Sequence, residues 1–171
     1  GELRVINHDA ENAADLVYLG KTEGTIPIKV NRHLAEADFK ITIGTVLPHP
    51  MAGFSGGPKA VAIGAASRET IVGTHNPEMI HHPKVGLGIV EGNPFYGACE
   101  EIARSVQIDF TLNLMVNEKE EITHATAGDL VAAHRRIIKV AEDVFTVSVP
   151  EVADVAVILV GYPKDSNLYH A

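Results

Sequence analysis

Cysteine, tryptophan and long apolar runs are scarce in this 171-residue sequence. It contains one cysteine, Cys99, and no tryptophan. A single cysteine excludes an intrachain disulfide and a cysteine-based metal cluster within one chain, and it suits a reducing compartment. No apolar run approaches the ~20 residues of a membrane-spanning helix, and no signal-peptide pattern occurs. We therefore expect a cytoplasmic protein with no membrane partner.

Positive charge is also in short supply. The sequence has 14 Lys and Arg residues against 22 Asp and Glu, which gives a formal net charge of −8. No stripe rich in lysine or arginine occurs, and this disfavours nucleic-acid binding. What is present is a globular composition, 46% apolar and 21% charged, in a chain long enough for one α/β domain with a real core.

Short runs rich in valine and isoleucine alternate with helical patterns. This alternation predicts an α/β fold with a layered, largely parallel (Rossmann-like) sheet and flanking helices. The strand candidates are Leu3–Asn7, Ile26–Val30, Lys40–Val46, Phe110–Val116 and Val155–Val160. The helix candidates are Arg32–Ala37, Arg68–Gly73, Pro94–Val106 and Leu130–Phe145, the last with Asp129 as its N-cap.

Pro150 and Glu151 mark a predicted domain boundary after the last long helix. Residues 1–150 are predicted to be the main part of one domain, and residues 151–171 the first strand and the start of a second, truncated one. A strand that opens a new unit near the end of the sequence indicates a fragment of a two-domain protein. A short C-terminal tail is the alternative interpretation.

The segment from His49 to Lys59, His-Pro-Met-Ala-Gly-Phe-Ser-Gly-Gly-Pro-Lys, is the most informative part of the sequence, and His75 follows it. Glycines let a backbone approach a ligand closely. A lysine in such a loop can clamp phosphate or bind a cofactor covalently, and neutral histidines bind metal or move protons near neutral pH. The segment follows the strand candidate Lys40–Val46, where α/β sheets bind ligands. Together these features predict a cofactor site.

Three generic interpretations of this loop can be compared with its sequence. A P-loop is excluded, because Pro58 replaces the second glycine and Ala60 stands where a hydroxyl is required. A backbone anion cradle at Ser55, Gly56 and Gly57 stays open, and so does a plain glycine-rich turn with an exposed lysine.

The histidines also have simpler interpretations as surface or capping residues. His49 and His75 could be either. The adjacent pair His81 and His82 is expected to diverge, and Cys99 is expected to be a core residue because it lies on an apolar helix face. The histidines without a convergent partner in the sequence are His8, His33, His124 and His134.

At this point the sequence resembles the nickel-dependent lactate racemase family. The glycine-rich segment with Glu69-Thr70-Ile71 and Thr74-His75 is similar to the central signature of that family. The resemblance extends over essentially the whole chain. Further similar segments are Val5–Asp9, Leu19–Thr22, Ala37-Asp38, Gly92–Pro94, Asp109–Asn113, Gly161–Pro163 and Asn167–Tyr169.

This resemblance implies an isomerase, a racemase or epimerase of a small 2-hydroxy acid, that works by hydride transfer to a nickel-pincer mononucleotide. Lys59 matches the lysine that carries the cofactor through a thioamide, and His75 matches the histidine that ligates nickel. His49 matches an acid/base histidine acting on the substrate hydroxyl. Imidazole suits nickel, and separate cofactor-biosynthesis enzymes are expected partners for loading.

The match is incomplete at the substrate. Tyr169 matches a substrate-contacting tyrosine, but His170 stands where lactate racemases commonly have glutamine. The second catalytic histidine and a carboxylate-binding arginine of the family have no counterpart in this chain. We therefore expect the fragment alone to be inactive and, without its loading partners, free of cofactor. The competing hypothesis is a non-catalytic module that binds a mononucleotide or phosphate. The sequence leaves the substrate and the oligomeric state open.

Overall fold

The computed structural model describes residues 3–157, 159 and 161. Within that range the chain forms three small sheets with helices packed between and against them. The strands are β1 Leu16–Lys21, β2 Pro27–Asn31, β3 Ile41–Thr45, β4 Pro48–His49, β5 Gly53–Phe54, β6 Phe110–Val116 and β7 Ile122–Gly128. The α-helices are α1 Arg32–Ala35, α2 Pro58–Ala62, α3 Arg68–Thr74, α4 Pro77–Ile80, α5 Pro94–Val106 and α6 Leu130–Phe145.

The largest sheet has the order β3-β6-β7. Strands β3 and β6 are parallel, with Ile43 opposite Leu112, whereas β6 and β7 form an antiparallel pair. The other two sheets are the antiparallel hairpins β1-β2 and β4-β5. The β4-β5 hairpin follows β3 directly, so the glycine-rich segment lies at the carboxyl end of a strand with a parallel neighbour.

The two long helices begin at residues whose side chains accept hydrogen bonds from the first turn. Asn93 caps α5 by accepting from the N–H of Tyr96, and Asp129 caps α6 by accepting from Val131 and Ala132. Both helices bury one apolar face. Helix α5 packs on α2, and α6 packs on β6 and β7. This packing brings α5, β6 and α6, which are distant from the glycine-rich segment in the sequence, close to it.

One face of the β3-β6-β7 sheet is covered and the other is open. Thr111, Asn113 and Met115 of β6 point to the covered face and are buried. Alternate residues point the other way, and there Ile43 is 67% exposed. The further apolar residues exposed on this open face are Ile41, Phe110 and Ile122. Among the described residues, no helix covers this face.

The predicted α/β class is confirmed, and so are the helices α5 and α6 and the strand β6, whose bounds match the predictions. The prediction of a largely parallel sheet is wrong for the described residues, because β3-β6 is the one parallel pairing among them. Flanking helices are found on only one face of that sheet.

Two strand predictions are also wrong where the structure can be compared with them. Residues 3–7 form no strand: Leu3 is 95% exposed and Val5 87% exposed, and no strand among the described residues pairs with them. The described residues between 155 and 161 form no strand either. The rest of the predicted second-domain start lies outside the described residues. No helix in the described part of the chain has the length and apolar character needed to span a membrane.

Candidate active site

Lys59 is the second residue of α2, so the helix rather than a loop carries it. It is partly buried where α2 packs on α5, close to the Cys99 thiol. Burial lowers the pKa of the Lys59 ammonium, because the charged form loses hydration, and the neighbouring Cys99 opposes this effect. The exposed-lysine interpretation is therefore not supported, and the amine is more easily deprotonated than an ordinary lysine.

His49 ends β4, and its ring is fixed by the turn that follows. Its Nδ1 atom accepts hydrogen bonds from the backbone N–H groups of Met51, at 3.2 Å, and Ala52, at 3.1 Å. A nitrogen that accepts two N–H groups carries no proton of its own, so the neutral ring has its proton on Nε2. The pKa of His49 falls to about 4, first through burial and then through the positive charges of Lys59 and His75.

His75 is the C-terminal cap of α3, and its ring has the opposite tautomer. Its Nδ1 atom lies 2.8 Å from the carbonyl oxygen of Ile71, which can only accept, so Nδ1 carries the proton. The ring also meets Phe95 edge to face, with centroids 5.0 Å apart. The lone pair of Nε2 is thereby left available for a metal, the arrangement found in many histidine ligands.

Lys59 and His75 both lie close enough to His49 for their positive charges to lower its pKa. The described residues contain no group of three or more His, Cys, Asp and Glu side chains able to hold a metal. A metal at His75 would therefore need most of its ligands from a bound cofactor. Sulfur and carbon donors with one imidazole fit that requirement.

The predicted anion cradle is largely occupied by the protein itself. The Ser55 N–H donates to Leu47 O, and the Gly57 N–H donates to Asn113 Oδ1. The Ser55 hydroxyl donates to Thr45 O. These bonds leave few free donors at Ser55, Gly56 and Gly57, which disfavours a phosphate-binding module built on this loop. A role for the three residues in cofactor contact stays a prediction.

Three buried polar residues around the segment were not predicted as site residues. They are Asn93 at the N-cap of α5, Asn113 on β6 and His134 on α6, and all three contact the backbone of residues 51–57. No sequence pattern pointed to His134, because a position on the buried face of α6 does not indicate a contact with Ser55, 79 residues away. Tyr169 and His170, the predicted substrate residues, lie outside the described residues.

Comparisons with known proteins point to one family. The model of the lactate racemase N-terminal domain family matches residues 1–88, about half of this chain. The chain is 30% identical over 164 residues to the lactate racemase of Thermoanaerobacterium thermosaccharolyticum, and 32% identical over 169 residues to that of Lactiplantibacillus plantarum. These alignments cover 96% and 98% of this chain, but only 38% and 39% of the relatives' own lengths.

Solved structures give the same result. The lactate racemase apoprotein of T. thermosaccharolyticum superposes with a TM-score of 0.76 at 30% identity, covering 78% of this chain and 32% of that one. A crystal structure of a Thermotoga maritima protein matches with a TM-score of 0.64 at 28% identity, covering 80% of this chain and 38% of that one.

Proposed function

Because this chain belongs to the lactate racemase family, we propose that it is the part of a 2-hydroxy-acid racemase or epimerase that holds the cofactor. The observation that carries this proposal is that Lys59 and His75 lie close enough to His49 for their positive charges to lower its pKa. The family match and that site together favour an isomerase over a binding module. The substrate class, a small lactate-like acid, belongs to the same proposal.

The residues of the site fit a nickel-pincer nucleotide. When bound, this cofactor supplies reversible acceptance of hydride from C2 of the substrate. His75 would ligate the nickel, since its Nε2 lone pair is available while Nδ1 is held by Ile71 O. The His75 ring is also kept in place by its edge contact with Phe95.

Lys59 would carry the cofactor covalently. Forming a thioamide requires the neutral amine as nucleophile, and burial lowers the pKa of the Lys59 ammonium toward that form. Because Lys59 is in the first turn of α2, and α2 is packed on α5, the amine is presented from a rigid element rather than from a mobile loop.

His49 would face the substrate hydroxyl through Nε2. In the described arrangement Nε2 carries a proton, so it donates a hydrogen bond to the substrate oxygen. The base role that the family resemblance implies requires the proton to be on Nδ1 instead. That change breaks both hydrogen bonds from Met51 and Ala52, so we expect the turn after His49 to rearrange when His49 accepts the hydroxyl proton.

The finer predictions about the protein's context belong to this proposal. They are a cytoplasmic location, loading by cofactor-biosynthesis enzymes, inactivity of the 171 residues alone, and the division at residue 150 between two domains. A Rossmann-like layering would require a helical layer on the open face of the β3-β6-β7 sheet as well.

The proposal is tested by intact mass of the full-length protein co-expressed with cofactor-biosynthesis enzymes. We expect the wild type and Lys119→Ala, which removes an exposed lysine in the β6-β7 turn, to carry the same mass adduct and bound nickel. Lys59→Ala and Lys59→Arg lack the adduct, because neither offers an amine for thioamide formation. An adduct that survives in Lys59→Ala would refute the assignment.

A further inference from the structure

Three buried polar side chains hydrogen-bond to the backbone between His49 and Lys59, and none of their described hydrogen bonds goes to the side chain of either residue. They are Asn93 at 3% exposure, Asn113 at 0% and His134 at 0%. Each comes from a different element, and each has its polar atoms satisfied by the segment or by neighbours that fix it. Buried polar groups are costly unless they are paired, so three of them converging on one backbone segment require an explanation. We call these three residues the loop frame.

Asn93 holds the beginning of the segment. Its Nδ2 donates to Met51 O at 2.8 Å and to Ile89 O at 2.7 Å, while its Oδ1 caps α5. All of the hydrogen-bonding groups of this amide are therefore engaged, and the turn after His49 is tied to the start of α5.

Asn113 holds the end of the segment. Its Oδ1 accepts from the Gly57 N–H at 3.1 Å. Gly57 is the N-cap position of α2 and has no side chain that could cap the helix. The amide of Asn113 therefore fixes the residue from which α2, and with it Lys59, begins.

His134 holds the middle. Its Nε2–H donates to Ser55 O at 2.8 Å, and its Nδ1 accepts from the Tyr96 hydroxyl at 3.2 Å, which sets the tautomer. The ring also lies against Gly57, where an added Cβ would be 2.3 Å from the ring carbon Cγ. The ring thus occupies the space next to Gly57 and also donates a hydrogen bond to the backbone of Ser55.

We propose that the loop frame is a positioning device, with His134 as its central positioning residue, that fixes the backbone of residues 51–57 and so sets where Lys59 is presented for cofactor attachment. The attachment part of this inference rests on the function proposed above. The fixed backbone does not, since it concerns the protein without cofactor.

The test uses the full-length protein with His134→Leu, which keeps the approximate volume but removes both hydrogen bonds, and His134→Gln, whose amide can donate to Ser55 O and accept from Tyr96. Thr22→Val is the matched control, because it removes a buried hydrogen bond to Ile26 remote from the segment. The first measurement is amide hydrogen exchange of residues 53–57 in the apoprotein. The second is the fraction of protein that carries the Lys59 adduct after co-expression.

We expect His134→Leu to speed exchange of residues 53–57 at least tenfold over Thr22→Val and to reduce adduct loading severalfold, with His134→Gln restoring most of both. If His134→Leu does not fold, Asn113→Ala takes its place, with faster exchange expected at Gly57. Unchanged exchange in a folded variant, or loading equal to wild type, would overturn the inference. A wild type without adduct would refute the proposed function. The exchange measurement would still show whether the loop frame fixes the backbone of residues 51–57.

Discussion

At the scale of single residues, the two histidines beside Lys59 differ in which ring nitrogen carries the proton. His75 Nδ1–H donates a hydrogen bond to Ile71 O, whereas His49 Nδ1 accepts hydrogen bonds from two backbone N–H groups. The sequence predicted that both histidines belong to the site. It could not predict their tautomers, because these depend on how the α3 cap and the turn after β4 direct their carbonyl and N–H groups.

The lowered pKa and the tautomer of His49 lead to a prediction for the full-length apoprotein. Its pKa lies near 4, below the ordinary 6.5, so the folded ring stays neutral where an unfolded one binds a proton. The free energy of unfolding should consequently decrease as the pH falls from about 6.5 to about 4. We expect nitrogen-15 NMR to show unprotonated Nδ1 and protonated Nε2 for His49 down to about pH 5.5.

His49→Gln identifies the signal of His49, since that signal alone disappears in the variant. A His49 ring that titrates near pH 6.5, or that carries its proton on Nδ1, would contradict the assignment.

At the scale of elements, the glycine-rich segment is a hairpin followed by a helix start, held on several sides. The sequence predicted α5, α6 and β6 well because their apolar periodicity and caps are local signals. It missed β1, β7 and the β4-β5 hairpin. Strand β7 is largely exposed and poor in large apolar residues, so it is a strand because β6 offers it a partner, and that is not visible in its own composition.

Two glycines with positive φ provide a matched test of how tightly this segment is held. Gly57 has φ +49 with the His134 ring behind it, whereas Gly88 has φ +72 and open space within 4 Å. Gly88→Ala should cost roughly 1–2 kcal/mol from backbone strain alone. Gly57→Ala should cost roughly 2–5 kcal/mol, because its φ +49 and ψ −132 lie outside the left-handed helical region and the clash with the ring of His134 is added. Chemical denaturation of the full-length variants measures the change in the free energy of unfolding for both substitutions. Equal changes would show that the His134 ring can move aside at little energetic cost.

At the scale of the whole molecule, helices of the described residues cover one face of the β3-β6-β7 sheet and leave its other, apolar face open. The prediction of a largely parallel sheet failed because strand direction depends on which strands become neighbours, and no single strand encodes that. Exposed contiguous apolar patches commonly mark interaction or association surfaces.

We therefore expect the 171-residue chain by itself to self-associate through this face. Ile43→Thr, at 67% exposure in the middle of β3, should lower the associated fraction in sedimentation velocity. Val144→Thr removes a comparably exposed apolar residue, at 55%, from α6 and should leave association unchanged. Equal effects of both substitutions, or a wild type that stays monomeric at all concentrations, would contradict this expectation.

The loop frame has a consequence for the order of events during folding. The contact from Asn113 to Gly57 spans a sequence separation of 56 residues, and the contact from His134 to Ser55 spans 79. Closing such a long loop costs conformational entropy before the new contact stabilises the fold, so contacts of this kind tend to form late. The glycine-rich segment is synthesised before α6, so we expect it to reach its final arrangement only when α6 docks. Under the proposed function, cofactor attachment at Lys59 would then follow the docking of α6.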